Sequence, residues 1–418
     1  MKFDNPEILQ SCHLLDRVAA AVGGSRKVVF LLGSDATMPH GRSPGVPSSK
    51  GIIDLIRQRL PDSDLLPPDA IYHDAFNLLD RFEGQDGVNK LIQDAVLMGR
   101  TGPATSLSPE RRADDLATLE ERFDEWYISQ GLGALAALIA HHPKGFGGTV
   151  LTTNFDPLIE IALARAAVPW HSTSLHRDGS LLYINGTGTH VVHLHGYWYG
   201  SDTLHTNDQL RQPRPQLVAS LQKLLGESLV VVLGYGGWED VIMSSLKQAL
   251  AGNRDRVDIL WTFRSDDETA IRAGSGKVFE ALKEAGRRAH FYKGVDIHSF
   301  GPALFNRVVA DRPAEKVSLF LRRVLVALER PAVYGGLDQP WGMRDDPLGE
   351  YVKVMQRFDE KLPARAALSF VTSCYRTSND SQFIKLRARN NMRGFGSIWN
   401  GHSDCWRMRR HRSTSVPL

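Results

Sequence analysis

Short apolar runs that stop abruptly at glycine or a polar residue recur along this chain, each followed by a segment with helical spacing. Val28–Leu32 stops at Gly33, and Leu229–Leu233 stops at Gly234. Val150-Leu151 leads into Thr152-Thr153-Asn154-Phe155-Asp156, and Val191-Val192 leads into His193-Leu194-His195-Gly196. Runs this short and this continuous suit strands buried on both faces. Such strands require helices on either side of a parallel sheet. They are also far too short to span a bilayer.

The spacing extends this pattern along most of the chain. Residues 8–22 read as an amphipathic helix, and 51–60 resume helical spacing after a loop rich in Gly, Pro and Ser. Residues 61–131 contain no convincing strand; helical pieces at 72–81 and 89–98 alternate with polar turns, which predicts a helical insertion beside the sheet. Helix 132–140, strand 148–152, helix 157–166, short strand 181–184 and strand 191–194 follow. Helix 214–225, strand 229–233, helix 238–251, strand 257–263, helix 276–285 and strand 288–292 complete the alternation. The pattern predicts an α/β fold: a Rossmann-like, doubly wound, mostly parallel sheet. A helix at 317–328 closes this domain of residues 1–330. After a Gly/Pro-rich connector at 331–347, helical spacing at 350–370 makes 331–375 a C-terminal helical extension.

Charge is unevenly placed. Residues 376–418 hold nine Lys/Arg against two Asp/Glu, whereas the whole chain carries only +3. This basic tail has little periodicity and reads as a solvated, disordered end; the alternative is an arm for nucleic acid or a partner. With 42% hydrophobic and 23% charged residues, the rest is ordinary globular protein. Cys12, Cys374 and Cys405 stand too far apart for a CxxC pair, so a cysteine zinc ribbon is excluded. Sparse cysteines, and no apolar h-region in residues 1–10, lead us to expect a cytoplasmic protein with no membrane association.

Four strand ends carry chemistry, and each also has a plain structural reading. Gly33-Ser34-Asp35-Ala36-Thr37, continuing to Gly45-Val46-Pro47, lets backbone N–H groups approach phosphate oxygens. A turn needing glycine for φ > 0 would look the same, and the GxGxxG fingerprint is absent. Asp156 before Pro157 could simply cap a helix, which leaves Asn154 unexplained. His193 and His195 share a strand face, but no third ligand follows at a convincing spacing, so no metal is expected. His193 can be a satisfied core histidine; His195, at the strand end beside Gly196, is the better general base. Gly234-Tyr235-Gly236-Gly237 permits close passage of a ribose or phosphate, or is a turn and cap.

Taken in order, these segments resemble the sirtuin family, specifically its divergent bacterial branch found in phage-defence systems. Gly33 to Pro47 followed by Lys50 resembles the Gly-Ala-Gly loop and its extension; Thr152 to Asp156 resembles the Thr-Gln-Asn-Ile-Asp motif. His195-Gly196 resembles the His-Gly motif, and Gly234 to Gly236 the Gly-Thr-Ser loop. Asp35 replaces the second glycine, extra residues separate Thr37 from Gly45, and Lys50 stands where the family has arginine.

The resemblance implies an NAD pocket. Gly33, Ser34 and Thr37 would line the pyrophosphate and ribose, and Asp156 would hold the nicotinamide carboxamide. Gly234 and Tyr235 would contact the adenosine half, Asn154 would fix the ribose or an attacking water, and His195 would act as base. The missing zinc ribbon points to NAD hydrolysis rather than deacylation. By the same resemblance the chain would be a homo-oligomeric anti-phage effector that depletes NAD, controlled by a partner such as a HerA-like ATPase. A non-catalytic sensor of NAD or ADP-ribose is the alternative, and nucleic acid would be met only indirectly or through the basic tail.

Overall fold

A computed structural model describes residues 6–308, apart from 102–112, 176, 182–185, 201, 206–211, 238–240, 253–256 and 284–287. The expected helix at 317–328, the extension at 331–375 and the basic tail at 376–418 lie outside the described residues, as does most of the strand at 181–184.

Eight parallel strands form one sheet: β1 (Ile8–Gln10), β2 (Val28–Leu32), β3 (Thr149–Thr152), β4 (Trp170–Ser174), β5 (Thr189–His193), β6 (Leu229–Leu233), β7 (Asp258–Thr262) and β8 (Ala289–Lys293). Their order across the sheet is β1-β8-β7-β6-β2-β3-β5-β4. The helices are α1 (Ser11–Gly23), α2 (Ser49–Arg59), α3 (Tyr72–Leu97), α4 (Ala113–Glu121), α5 (Gln130–His141), α6 (Pro143–Phe146), α7 (Leu158–Arg165), α8 (Pro215–Leu224), α9 (Val241–Gly252), α10 (Glu268–Gly274), α11 (Gly276–Leu282) and α12 (Ile297–Val308).

The central strands are apolar throughout because both faces are covered. Successive side chains point to opposite faces. Phe30, Leu32, Val150 and Val191 therefore enter one core, with residues of α1, α5, α7 and the insertion. Val29, Leu31, Leu151, Val192, Val230 and Val232 enter the other, with residues of α8, α9 and α11. α5 (QGLGALAALIAH) is apolar on nearly every side and correspondingly buried.

Two edge strands depart from the reading of the sequence. Residues 8–10 are the strand β1 paired to β8, not the start of a helix. β4 has the sequence WHSTS, and every residue is only half-buried. It pairs with β5 on one side alone, so it needs no apolar alternation and leaves no periodic signal. In the insertion, α3 spans both expected helical pieces with a kink at Gly84, whose φ of 67° is left-handed.

Candidate functional site

β2 is flanked by β3 on one side and β6 on the other, so the winding of the sheet reverses there. Ligand crevices form at such switch points, outside the carboxyl ends of the strands. A solvent-open cleft of about 650 Å³ lies at this place. It is bordered by the segments that follow β2, β3, β5 and β6.

The two segments bordering the switch point touch each other. Gly33 N–H donates to the Leu233 carbonyl at 2.9 Å, extending the β2–β6 ladder. A Cβ on Gly33 would sit 2.2 Å from the Gly234 carbonyl oxygen. Gly234 has φ +69°, and a Cβ there would meet the Asp35 Cβ at 2.5 Å. These glycines are required by close packing of one strand-end loop on the other. Gly33 itself therefore does not line the cleft; Ser34, Thr37, Gly234 and Tyr235 do.

Hydrogen bonds tie the floor together. Thr152 Oγ1 donates to the Leu32 carbonyl at 3.1 Å and accepts from Asn154 N–H at 3.0 Å, which turns the chain at the end of β3. The Asn154 side-chain amide donates to the Gly33 carbonyl at 3.1 Å and to Thr37 Oγ1 at 3.0 Å. Both amide hydrogens are thereby used, and a carbonyl partner fixes which end of the amide carries the nitrogen. Thr37 in turn donates its hydroxyl to Asp156 Oδ2 at 2.9 Å. Asp156 Oδ1 accepts from Leu158 N–H at 3.1 Å at the start of α7. Asp156 is thus both a helix-starting cap and a member of the cleft floor. Burial pushes its carboxyl up to about 6, against the opposing pull of the bonds from Thr37 and Leu158 and of His193.

The two histidines of the His-Leu-His segment separate completely. His193 is fully buried at the end of β5 and bonded at both ring nitrogens, to the Asn154 carbonyl at 2.7 Å and to Glu160 Oε1 at 2.6 Å. His195 lines the cleft. Beyond it the chain reverses at Gly196, where φ is +90° and a Cβ would lie 2.6 Å from the Asp202 carbonyl oxygen. The returning segment bonds back through Leu204 N–H to the His195 carbonyl at 2.9 Å.

That return brings in His205, which no sequence motif marked, and sets it against Tyr72 of α3 and Phe155 of the loop after β3. His205, Tyr72 and Phe155 also line the cleft. His205 stacks on Phe76 with ring centroids 4.2 Å apart and meets Phe155 edge-on. Its Nδ1 lies 3.0 Å from the Tyr72 hydroxyl, and its carbonyl lies 3.0 Å from His73 Nδ1. Burial, with His195 and His73 nearby, holds the His205 ring well below the usual histidine range, so it is neutral. Aromatic residues spaced along a helix read as core, and only the tertiary fold turns Tyr72 of α3 toward the strand ends.

The fold accommodates the unusual glycine loop. Thr37 and Val46 join through the Val46 N–H to Thr37 carbonyl bond at 2.8 Å, so residues 38–45 bulge from a closed neck. Thr37, Val46 and Pro47 all line the cleft, while Asp35 does not. The Asp35 carboxyl is raised by burial, partly offset by the Arg264 charge. Lys50 lies in the first turn of α2, next to Ser49, which lines the cleft. Among the described residues lining the cleft there is no lysine or arginine. A phosphate here would meet the hydroxyls of Ser34, Ser49 and Thr153, the Thr37 hydroxyl being donated to Asp156.

Residues 148–285 match a family model described as a SIR2-like domain. The match begins at β3 and ends after α11, so it contains Asn154, Asp156, His195 and Gly234 but not Gly33 to Thr37. Among curated proteins none matches the chain. Two solved structures of point mutants of a Sir2 homologue, each in complex with ADP-ribose, align over 72% of this chain and 96% of their own. Both are 12% identical to it, with TM-scores of 0.34 and 0.35.

Proposed function

We propose that the cleft binds NAD and that the chain hydrolyses the N-glycosidic bond, releasing nicotinamide and ADP-ribose. The observation carrying this reading is the convergence of Thr37, Asn154, Asp156 and His195 on one cleft at the sheet's switch point. A SIR2-like segment supplies three of the four.

In this reading Ser34 and Thr37 meet the pyrophosphate and ribose, with Gly33 supporting them through its bond to Asn154. Gly234 and Tyr235 border the adenosine half, and Asp156 faces the nicotinamide carboxamide. The bond from ribose C1′ to nicotinamide breaks with its electron pair leaving on nicotinamide. The oxygen of a water forms the new bond to C1′, and His195 takes the proton. With both amide hydrogens of Asn154 committed to Gly33 and Thr37, its side-chain oxygen is the atom left to orient the ribose or the water. Holding a nucleophile in place can supply about 7–11 kcal/mol, and a positioned base about 10²–10⁴-fold.

The test is NAD consumption by the purified chain with products resolved by chromatography. Nicotinamide and ADP-ribose in equal amounts, lost in His195→Ala, support the reading. Binding of NAD with no turnover under any condition replaces it with the sensor reading.

We also propose the setting that the sequence resemblance implies: a cytoplasmic, homo-oligomeric effector of anti-phage defence restrained by a partner such as a HerA-like ATPase. Unrestrained NAD hydrolysis would deplete the cell that makes the enzyme, which is the chemical reason to expect control. Among the described residues no helix is long and apolar enough to cross a membrane. Co-purification with mass measurement tests the partner. Salt-dependent nucleic-acid affinity, with and without residues 376–418, tests the basic tail.

A further inference from the structure

Beneath the cleft floor lies a titratable pair that the proposed reaction does not use. Glu160, in the first turn of α7, and His193, the last residue of β5, are both essentially inaccessible to solvent. Glu160 Oε1 and His193 Nε2 are 2.6 Å apart, and His193 Nδ1 is 2.7 Å from the Asn154 carbonyl. A carbonyl can only accept, so Nδ1 carries a proton. The remaining proton lies between Nε2 and Glu160, and wherever it resides, Nδ1 stays a donor to Asn154. Tyr197 packs edge-on against the imidazole at 4.7 Å, and its hydroxyl donates to Glu120. Asp156 is the other charged neighbour, and its pull and that of Glu160 favour the protonated ring against the effect of burial.

We propose that Glu160 and His193 form a buried positioning pair that grips the Asn154 peptide and thereby keeps the Asn154 side chain in register with Gly33 and Thr37. The proposal rests on the reading of the cleft as the reaction site. Four hydrogen bonds then fix this residue: one from its N–H to Thr152 Oγ1, one from His193 to its carbonyl, and two from its side-chain amide to the Gly33 and Thr37 oxygens. Desolvating an ion pair costs as much as the pair's attraction returns, so an apolar pair of the same volume would hold α7 on β5 as well. Directionality is what the ionic pair adds: a fixed donor aimed at one carbonyl. Neither residue touches the cleft, so both are positioning residues.

The experiment compares His193→Gln, His193→Asn and Glu160→Gln in the full chain. Glutamine keeps reach toward Glu160 but loses the donor at Nδ1. Asparagine places an amide N–H near the Nδ1 position. Glutamine at 160 retains a neutral pair, because its amide can donate to Nε2 while Nδ1–H is kept. Two readouts are taken: NAD turnover, and the side-chain amide resonance of Asn154 in protein labelled with ¹⁵N-asparagine, assigned by its loss in Asn154→Asp. We expect His193→Gln to shift that resonance and lower kcat by about 10²-fold, with KM nearly unchanged. His193→Asn and Glu160→Gln should return the resonance and recover most of kcat. An unmoved Asn154 resonance in His193→Gln overturns the proposal. Equal losses in all three variants, tracking their melting temperatures, overturn it too. If the wild-type chain cleaves no NAD, the hydrolase reading fails alone, and the resonance still decides the positioning role.

Discussion

The floor of the cleft and its wall are built differently. The floor is a set of strand-end loops locked by hydrogen bonds among Gly33, Thr37, Asn154 and Asp156, with glycines where one backbone crosses another. The wall is made of rings, Tyr72, Phe155 and His205, drawn from the helical insertion, the β3 loop and the chain returning past Gly196. A hydrogen-bonded floor tolerates almost no displacement, because a moved partner leaves a buried donor or acceptor unsatisfied. A wall of rings held mainly by contact and stacking can be resized at smaller cost. Chemistry should therefore be concentrated on the floor, and ligand fit should be tuned at the wall.

The largest expected effect is on the floor side. His195→Ala and Asn154→Ala should each lower NAD turnover by at least about 10²-fold while the chain remains folded. Near-normal turnover in both folded variants would remove the proposed contrast. Next comes Gly33→Ala, whose Cβ would fall 2.2 Å from a backbone oxygen that cannot step aside. Overpacking of this kind costs about 1–3 kcal/mol or more and should lower Tm clearly. An unchanged Tm would show that the loops are not in the contact described.

The pH dependence sharpens the comparison. The Asp156 carboxyl is raised in the folded state from 3.8 to about 6 by burial. The folded chain then binds a proton that the unfolded chain releases. The resulting stabilisation is complete below pH about 4 and is lost as pH rises through about 6. Its full size is on the order of 3 kcal/mol, since a tenfold change in proton affinity corresponds to about 1.4 kcal/mol. Denaturation of wild type and Asp156→Asn between pH 4 and 7 should show wild type losing stability relative to the variant as pH rises. A constant difference across that window would show that the carboxyl titrates alike in the folded and unfolded chain.

The smallest effect belongs to the wall. Tyr72→Phe removes one bond to His205 and keeps the ring, for a cost of about 1 kcal/mol. We expect a several-fold change in NAD affinity at nearly constant kcat, read from initial rates across substrate concentration. A loss of kcat as large as that of His195→Ala would make the wall part of the chemistry and erase the distinction.

How much of this was legible in the sequence follows the same division. Val28–Leu32 and Leu229–Leu233 declared themselves as buried strands because a strand covered on both faces must be apolar throughout. β4 did not, because an edge strand paired on one side and half-exposed has no such requirement. The floor residues were found because they stand in the short loops that follow apolar runs, and a parallel sheet gathers such loops at one edge. Glycine at 33 was legible as a constraint but not as to its cause: the backbone it makes room for, at Gly234 and Tyr235, lies far along the chain.

Sequence alone determined the layered α/β architecture and the set of strand ends that meet, since periodicity and burial are local consequences of composition. Tertiary structure alone decided that His193 pairs with Glu160, because nothing in the local alternation names a partner 33 residues away. It also decided that Tyr72, Phe155 and His205 share a wall, for contacts between residues 133 apart are set by how helices and loops pack. No local pattern encodes that packing.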